Sequence, residues 1–313
     1  MRIAVFGTGG AGGYFGARLA QAGEDVIFIA RGQHLQAIRE HGLRVDSAKG
    51  PFVVRPTDAT DDPRQVGGVD VVIVGVKAWQ VTEAAQAIQP MIGRDTCVVP
   101  LQNGVEAPAQ LATVLGAAHV VGGLCGTVSF VVGPGQIRSI GDIHFIKFGE
   151  LHTRPSDRTD RLRQAFIRAN VTVEIPPDIH VALWEKFLYV VAWGGVGAVT
   201  RAPVGVLGRV PETRQLLAQG MREIFAVARA RQVALSDGLV EKTMAFMDTV
   251  APSGTTSLQR DIMDGKPSEL EAWNGAVVRL GQEVNVATPL HTFLYYSLLP
   301  LELQARGQMP FPA

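Results

Sequence analysis

The chain has 313 residues, 47% of them apolar, with 29 basic and 29 acidic side chains that cancel. That length has room for about two domains, and a balanced charge gives neither nucleic acid nor an anionic membrane surface an electrostatic reason to be a partner. The uncharged apolar stretch at residues 187–200 is too short to span a bilayer and contains three glycines.

The first residues read as a strand (3–6) rather than a signal peptide. A helix over 14–21, a strand over 26–29 and a helix over 34–40 follow, then a short extra strand at 52–54. Residues 70–74, Asp-Val-Val-Ile-Val, form a continuous apolar run, as expected of a parallel strand buried on both faces. A helix over 81–88, a strand over 97–99 and a helix over 106–115 continue the alternation, which predicts a doubly wound parallel sheet. From 120 to 149 the pattern changes. Strands at 127–131 and 143–146, around the turn residues Gly133-Pro134-Gly135, predict an antiparallel pair. A helix over 161–168 and a strand over 171–175 complete this half.

Pro176-Pro177 then punctuates the chain. Beyond it the periodicity is helical: 179–199, 212–231, 239–247, 269–283 and 290–304, with Leu216, Leu217, Met221, Ile224, Phe225 and Ala228 on one stripe. The expected organisation is α/β, a Rossmann-type domain over 1–176 followed by an all-helical domain over 177–313. Cys97 and Cys125, in strand-like apolar surroundings, read as buried thiols of a reducing compartment, so a cytoplasmic protein is expected. No HExxH or GxSxG is present, which leaves metal and serine-hydrolase chemistry without support and no metal expected.

The motif with most chemical content is Gly7-Thr8-Gly9-Gly10-Ala11-Gly12, between the first strand and the first helix. Gly7 permits the tight turn, Gly9 lets the backbone approach a pyrophosphate, and Gly12 lets the helix pack close to the sheet. The N–H groups at the helix start then face the phosphates. An NAD site would end the second strand with an acid to bond the ribose 2′-OH. This chain has Ala30 and then Arg31, whose guanidinium suits a 2′-phosphate, so NADP(H) is the expected cofactor.

Strands of a parallel sheet present ligands at their carboxyl ends. Lys77 and Asn103 follow the strands ending at 74 and 99, although taken alone a solvated loop lysine and an Asn-Gly turn are the better explanations. Lys186 lies in a very apolar helix. A lysine near a carbonyl oxygen can stabilise developing charge and supply a proton, or it can snorkel and pair with Glu185 or another carboxylate. Both readings stand on the residues alone. Glu269 fits the first turn of a helix capped by Ser268 with Glu271 completing a capping box, and Ser257 fits a turn or cap hydroxyl.

Together, the GxGxxG motif, Arg31, Lys77, Gln102-Asn103-Gly104, Trp184-x-Lys186, and Ser257-x3-Asp261-x7-Glu269-x4-Asn274-Gly275 resemble the ketopantoate reductase family over nearly the whole chain. The resemblance implies NADPH-dependent reduction of ketopantoate in pantothenate biosynthesis, with the substrate in a cleft between a Rossmann domain and a helical domain. It implies Lys186 as general acid, Glu269 as the residue that binds and orients substrate, Ser257 on the substrate carboxylate, and Lys77 and Asn103 by the nicotinamide ribose and substrate. The family pattern places asparagines one and two helical turns after the lysine and another three residues before the serine. Here those positions are Val190, Gly194 and Gly254. A less polar 2-keto acid is therefore one alternative substrate, and a non-catalytic NADPH-binding sensor is an alternative of another class. The apolar helical half makes a homodimer plausible.

Overall fold

The computed structural model describes residues 1–56 and 58–311, and the chain divides into two compact units, Met1–Ala182 and Leu183–Ala313. The division falls inside a helix, beyond the Pro176-Pro177 boundary expected from the sequence.

The first unit is built on a parallel sheet of β1 (Arg2–Phe6), β2 (Asp25–Ile29), β5 (Asp58–Thr60), β6 (Val69–Val74) and β7 (Ile92–Pro100), in the order β5-β2-β1-β6-β7. Side chains alternate faces along a strand, and both faces are buried. Ile3 and Val5 of β1 join one core with Phe28, Ile73 and Val99, whereas Ala4 and Phe6 join a second with Ile27, Val72 and Val98. This is why 70–74 reads as an unbroken apolar run. Helix α1 (Gly10–Gln21) covers the first face. Helices α3 (Val81–Ile88) and α4 (Ala107–Leu115) cover the second. Helix α2 (Gly32–His41) leads from β2 to two short strands, β3 (Leu43–Asp46) and β4 (Phe52–Val54).

A second sheet packs on the other side of α1. Its strands β8 (Val121–Gly133) and β9 (Gln136–Glu150) form a long antiparallel hairpin; β3 and β10 (Thr172–Glu174) run parallel to β9, and β4 is antiparallel to β3. Helix α5 (Asp157–Arg168) precedes β10. Glycines let α1 sit tightly between the layers. A Cβ at Gly16 would meet Phe28 and Val5 of the parallel sheet, and one at Gly13 would meet Ile137 of β9. The hairpin strands are longer than the sequence reading allows, because polar residues such as Arg138 and Ser139 continue the ladder.

The second unit is helical: α6 (Ile179–Thr200), which begins in the first unit, then α7 (Val204–Arg209), α8 (Pro211–Ala230), α9 (Leu239–Met247), α10 (Ser257–Met263), a π-helical turn (Glu271–Gly275) running into α11 (Ala276–Glu283), and α12 (Pro289–Ala305). Two expectations need correction. The helix expected over 269–283 opens as the π turn. The Ser268–Glu271 capping box is absent: Ser268 bonds to Glu302, and Glu271 accepts from Arg279 and Tyr295. On α8, Leu216 and Phe225 are only half-buried, and Gly220, Glu223 and Val227 take inner positions instead. No helix among the described residues is long and apolar enough to cross a membrane.

Candidate active site

In the first unit the expected residues follow the carboxyl ends of β1, β2, β6 and β7. The β1–β6 junction is where the strand order reverses, the place where sheets of this kind bind ligands. Gly7 has φ 95°, and a Cβ there would stand 2.7 Å from the Val76 nitrogen. A Cβ at Gly12 would stand 2.3 Å from the Gly7 oxygen, and one at Gly75 would stand 2.9 Å from the Gly12 Cα. Three backbones therefore meet where no side chain fits. Gly9 differs, since a Cβ there would meet nothing within 4 Å. Gly9 is also the N-cap of α1, and it supplies no capping side chain to a first turn that contains no acid. The helix thus opens without a side-chain cap and with open space at Gly9, while Gly10 lies close to the Ser129 carbonyl, and such a start suits a pyrophosphate.

Thr8 is anchored behind this turn. Its N–H and its Oγ1 both donate to the Ile29 carbonyl, at 3.4 and 3.1 Å. Gln102, buried after β7, donates from Nε2 to the carbonyls of Val74 (3.0 Å) and Val76 (2.8 Å) and so fixes the loop that carries Lys77. The Lys77 Nζ lies 5.8 Å from the Trp79 ring centroid, a cation–π distance. Asn103 follows Gln102 and is half-buried. Arg31 is the N-cap of α2, and its side chain is 71% exposed. It reaches Glu83 of α3 at 3.6 Å, an exposed pair worth about 0–1 kcal/mol. Sequence reasoning missed Glu83 because it comes from a different helix.

In the second unit, Lys186 is half-buried on α6, and Val190 is buried one turn further on. At Gly194, on the same face, a Cβ would stand 2.7 Å from Trp273 Cζ3 and 3.3 Å from Leu258 Cδ2. The face that begins with Lys186 therefore packs against α10, which starts at Ser257, and against the segment that follows Glu269. Ser257 is the first helical residue, and Thr256 is the cap, accepting from the Gln259 N–H. Gly254 also abuts an indole: a Cβ there would stand 3.4 Å from Trp193 Cη2. Thus two of the three positions where the resemblance leads to an expected asparagine are glycines seated against tryptophans, and the third is a buried valine.

Glu269 is 6% exposed and is held through its neighbour. The Ser268 N–H donates to both carboxylate oxygens of Glu302 (3.1 and 3.0 Å), and its hydroxyl donates to the same group. Arg306 donates to Glu302 (2.6 Å) and to the Ser268 carbonyl (2.9 Å). A buried ion pair on α12 therefore takes up every polar atom of Ser268. Asn274, fully buried in the π turn, faces Gly195, and neither of its amide atoms has a partner among the described residues. π turns often mark functional sites. Glu302 carries no local motif that marks its packing role in advance, whereas Asn274 stands in the Glu269-x4-Asn274-Gly275 pattern.

With this geometry, the chain matches the family profile described as ketopantoate reductase PanE/ApbA over residues 3–153 and that of its C-terminal part over 178–302. It is 31% identical over 314 residues to a 2-dehydropantoate 2-reductase of Nostoc sp., covering 98% of each chain. Two crystal structures share the fold. One is a PanE/ApbA family ketopantoate reductase from Ralstonia eutropha (TM-score 0.89, 32% identity, 98% of this chain and 100% of that one). The other is a 2-dehydropantoate 2-reductase from Geobacter metallireducens (TM-score 0.88, 30% identity, 97% of this chain and 100% of that one).

Proposed function

The chain belongs to the ketopantoate reductase PanE/ApbA family of oxidoreductases, and from that premise we propose that it reduces ketopantoate to pantoate with NADPH. The observation that carries the reading is the uncapped, acid-free start of α1 beside Gly9, on a chain that also has Lys186, Ser257 and Glu269 in the family's order. When bound, NADPH supplies a hydride to the keto carbon. In this reading the turn at Gly9–Gly12 binds the pyrophosphate, and Arg31, which lacks an acid before it, binds the 2′-phosphate. Lys77 and Asn103 hold the nicotinamide ribose and the substrate. Lys186 binds the keto oxygen through its ammonium group and gives up one proton as that oxygen becomes a hydroxyl. Ser257 donates to the substrate carboxylate, and Glu269 orients the substrate against Lys186. The protein works as a small-molecule enzyme in the cytoplasm and as a homodimer. The test is stoichiometric: one pantoate formed per NADPH consumed supports the reading, and NADPH consumption without pantoate rejects ketopantoate as the substrate.

A second reading keeps the chemistry and changes the substrate to a 2-keto acid without the hydroxyl of ketopantoate. Trp273 against Gly194 and Trp193 against Gly254 favour it, because apolar surface stands where amides would satisfy that hydroxyl. An unpaired buried hydroxyl costs about 1–3 kcal/mol.

A further inference from the structure

His34 lies in the first turn of α2 and touches two pieces of chain from other parts of the first unit. Its Nε2 stands 2.9 Å from the Thr8 carbonyl, and its Nδ1 accepts the Gly135 N–H at 3.0 Å. These bonds define the ring's protonation. Nδ1 accepts and so carries no proton; Nε2 donates and so carries one. The imidazole is neutral and in a single tautomer.

Both partners matter to the glycine turn. Thr8 lies between Gly7 and Gly9, with its N–H and hydroxyl fixed on Ile29. His34 fixes its remaining polar group, the carbonyl that leads into Gly9. Gly135 is the tip of the β8–β9 hairpin (φ 65°), closely packed on Ala37 of α2, and its carbonyl accepts the Arg44 N–H. A proton added to Nδ1 would face the Gly135 N–H, so two donors would point at each other and one bond would be lost.

We propose that His34 is a positioning residue for the dinucleotide, whose neutral ring holds the Thr8–Gly9 turn in its phosphate-binding shape and whose protonation weakens cofactor binding. The proposal rests on the reading that this turn holds NADP(H). Burial supports it by lowering the His34 pKa, with the backbone interactions at Thr8 and Gly133 opposing only in part. The turn at 7–12 and residues 133–136 contain no ionisable side chain. On α2 the ionisable residue one turn away is Arg31, a cation that adds to the cost of a second positive charge. On β3, Arg44 is paired with Asp46 at 2.9 Å.

The test is the dissociation constant for NADPH, read from nicotinamide fluorescence between about pH 7.5 and 4.5, a range that extends well below an ordinary histidine pKa because burial lowers that of His34. The proteins are the wild type, His34→Gln and His34→Ala. Glutamine both donates and accepts but does not titrate, so it removes the switch and keeps the bonds. By the acid end the wild-type constant should rise about fivefold more than that of His34→Gln, the size of one lost hydrogen bond. The cofactor's own 2′-phosphate titrates equally in both and cancels. His34→Ala should bind weakly at every pH. Parallel profiles for the wild type and His34→Gln, or tighter wild-type binding in acid, would overturn the proposal. So would ring-nitrogen chemical shifts of the unmutated protein that show a doubly protonated His34 at neutral pH. If none of the three proteins bound NADPH, the cofactor reading would fall and take this proposal with it; binding with parallel profiles would sink the proposal alone.

Discussion

The indole of Trp273 occupies the space that a side chain at position 194 would need: a Cβ on Gly194 would stand 2.7 Å from Cζ3 and 3.0 Å from Cε3. The two positions are 79 residues apart in the chain and act as one. Gly194→Asn alone should therefore destabilise the protein by about 1–3 kcal/mol through overpacking. Combined with Trp273→Ala, it should lose less than the sum of the two single changes. Denaturant melts of the four proteins measure the coupling, and simple additivity would mean that the indole can move aside freely.

Lys186→Ala should lower kcat/KM for the physiological keto acid by about 10²–10⁴-fold, the ordinary contribution of a positioned acid. NADPH affinity should change little, because the proposed role of the lysine is on the keto oxygen and not on the cofactor. Steady-state rates together with a fluorescence titration separate the two effects. Turnover close to wild type would remove Lys186 from the mechanism.

Arg31 and Glu83 make opposite predictions for cofactor choice. Arg31→Ala should weaken NADPH much more than NADH. Glu83→Gln frees the guanidinium and removes an acid from its neighbourhood, so NADPH should bind about twofold to fivefold tighter, as expected for the loss of a weak exposed pair. Equal effects on both cofactors would show that Arg31 does not meet a 2′-phosphate.

Glu302→Gln should lower kcat with little effect on the KM for NADPH. The loss leaves Arg306 without its buried partner and loosens Ser268, the residue before Glu269. Thermal melts should also show a lower Tm, since breaking a buried pair typically costs about 3–5 kcal/mol. A lower Tm with unchanged kcat would limit the clamp to stability.

Glu223 gives a pH prediction. Burial pushes its pKa up, but bonds from the His291 ring and from the backbone N–H groups of His291 and Leu290 outweigh this and hold it below the ordinary glutamate value. A depressed carboxylate pKa stabilises the fold above the unfolded value of 4.5, and that stability is lost as pH falls through the folded pKa. Glu223→Gln should be less stable near neutrality and should lose less on acidification. Parallel stability curves for the two proteins would contradict this.

Much of the fold was legible because two-sided burial leaves a plain trace. The run at 70–74 could be nothing but an inner strand, and α3 and α9 are found with the expected bounds. Strands β3 and β5 and helices α7 and α10 went unseen, being too short for a hydrophobic period to register. The Ser268–Glu271 signature misled because Glu302, 34 residues away, binds Ser268 instead. The glycine turn and Arg31 could be read locally. Glu83, His34 and Trp273 could not, since their significance comes from contacts across the fold.

The most direct measurement of the central claim is the initial rate of NADPH oxidation by the purified chain, with ketopantoate and a panel of 2-keto acids that lack its hydroxyl. The account predicts saturable turnover of at least one of them, with kcat/KM on the order of 10⁴ M⁻¹s⁻¹ or more. NADPH that binds tightly and is oxidised by none of them would contradict it and leave a cofactor-binding protein without this chemistry.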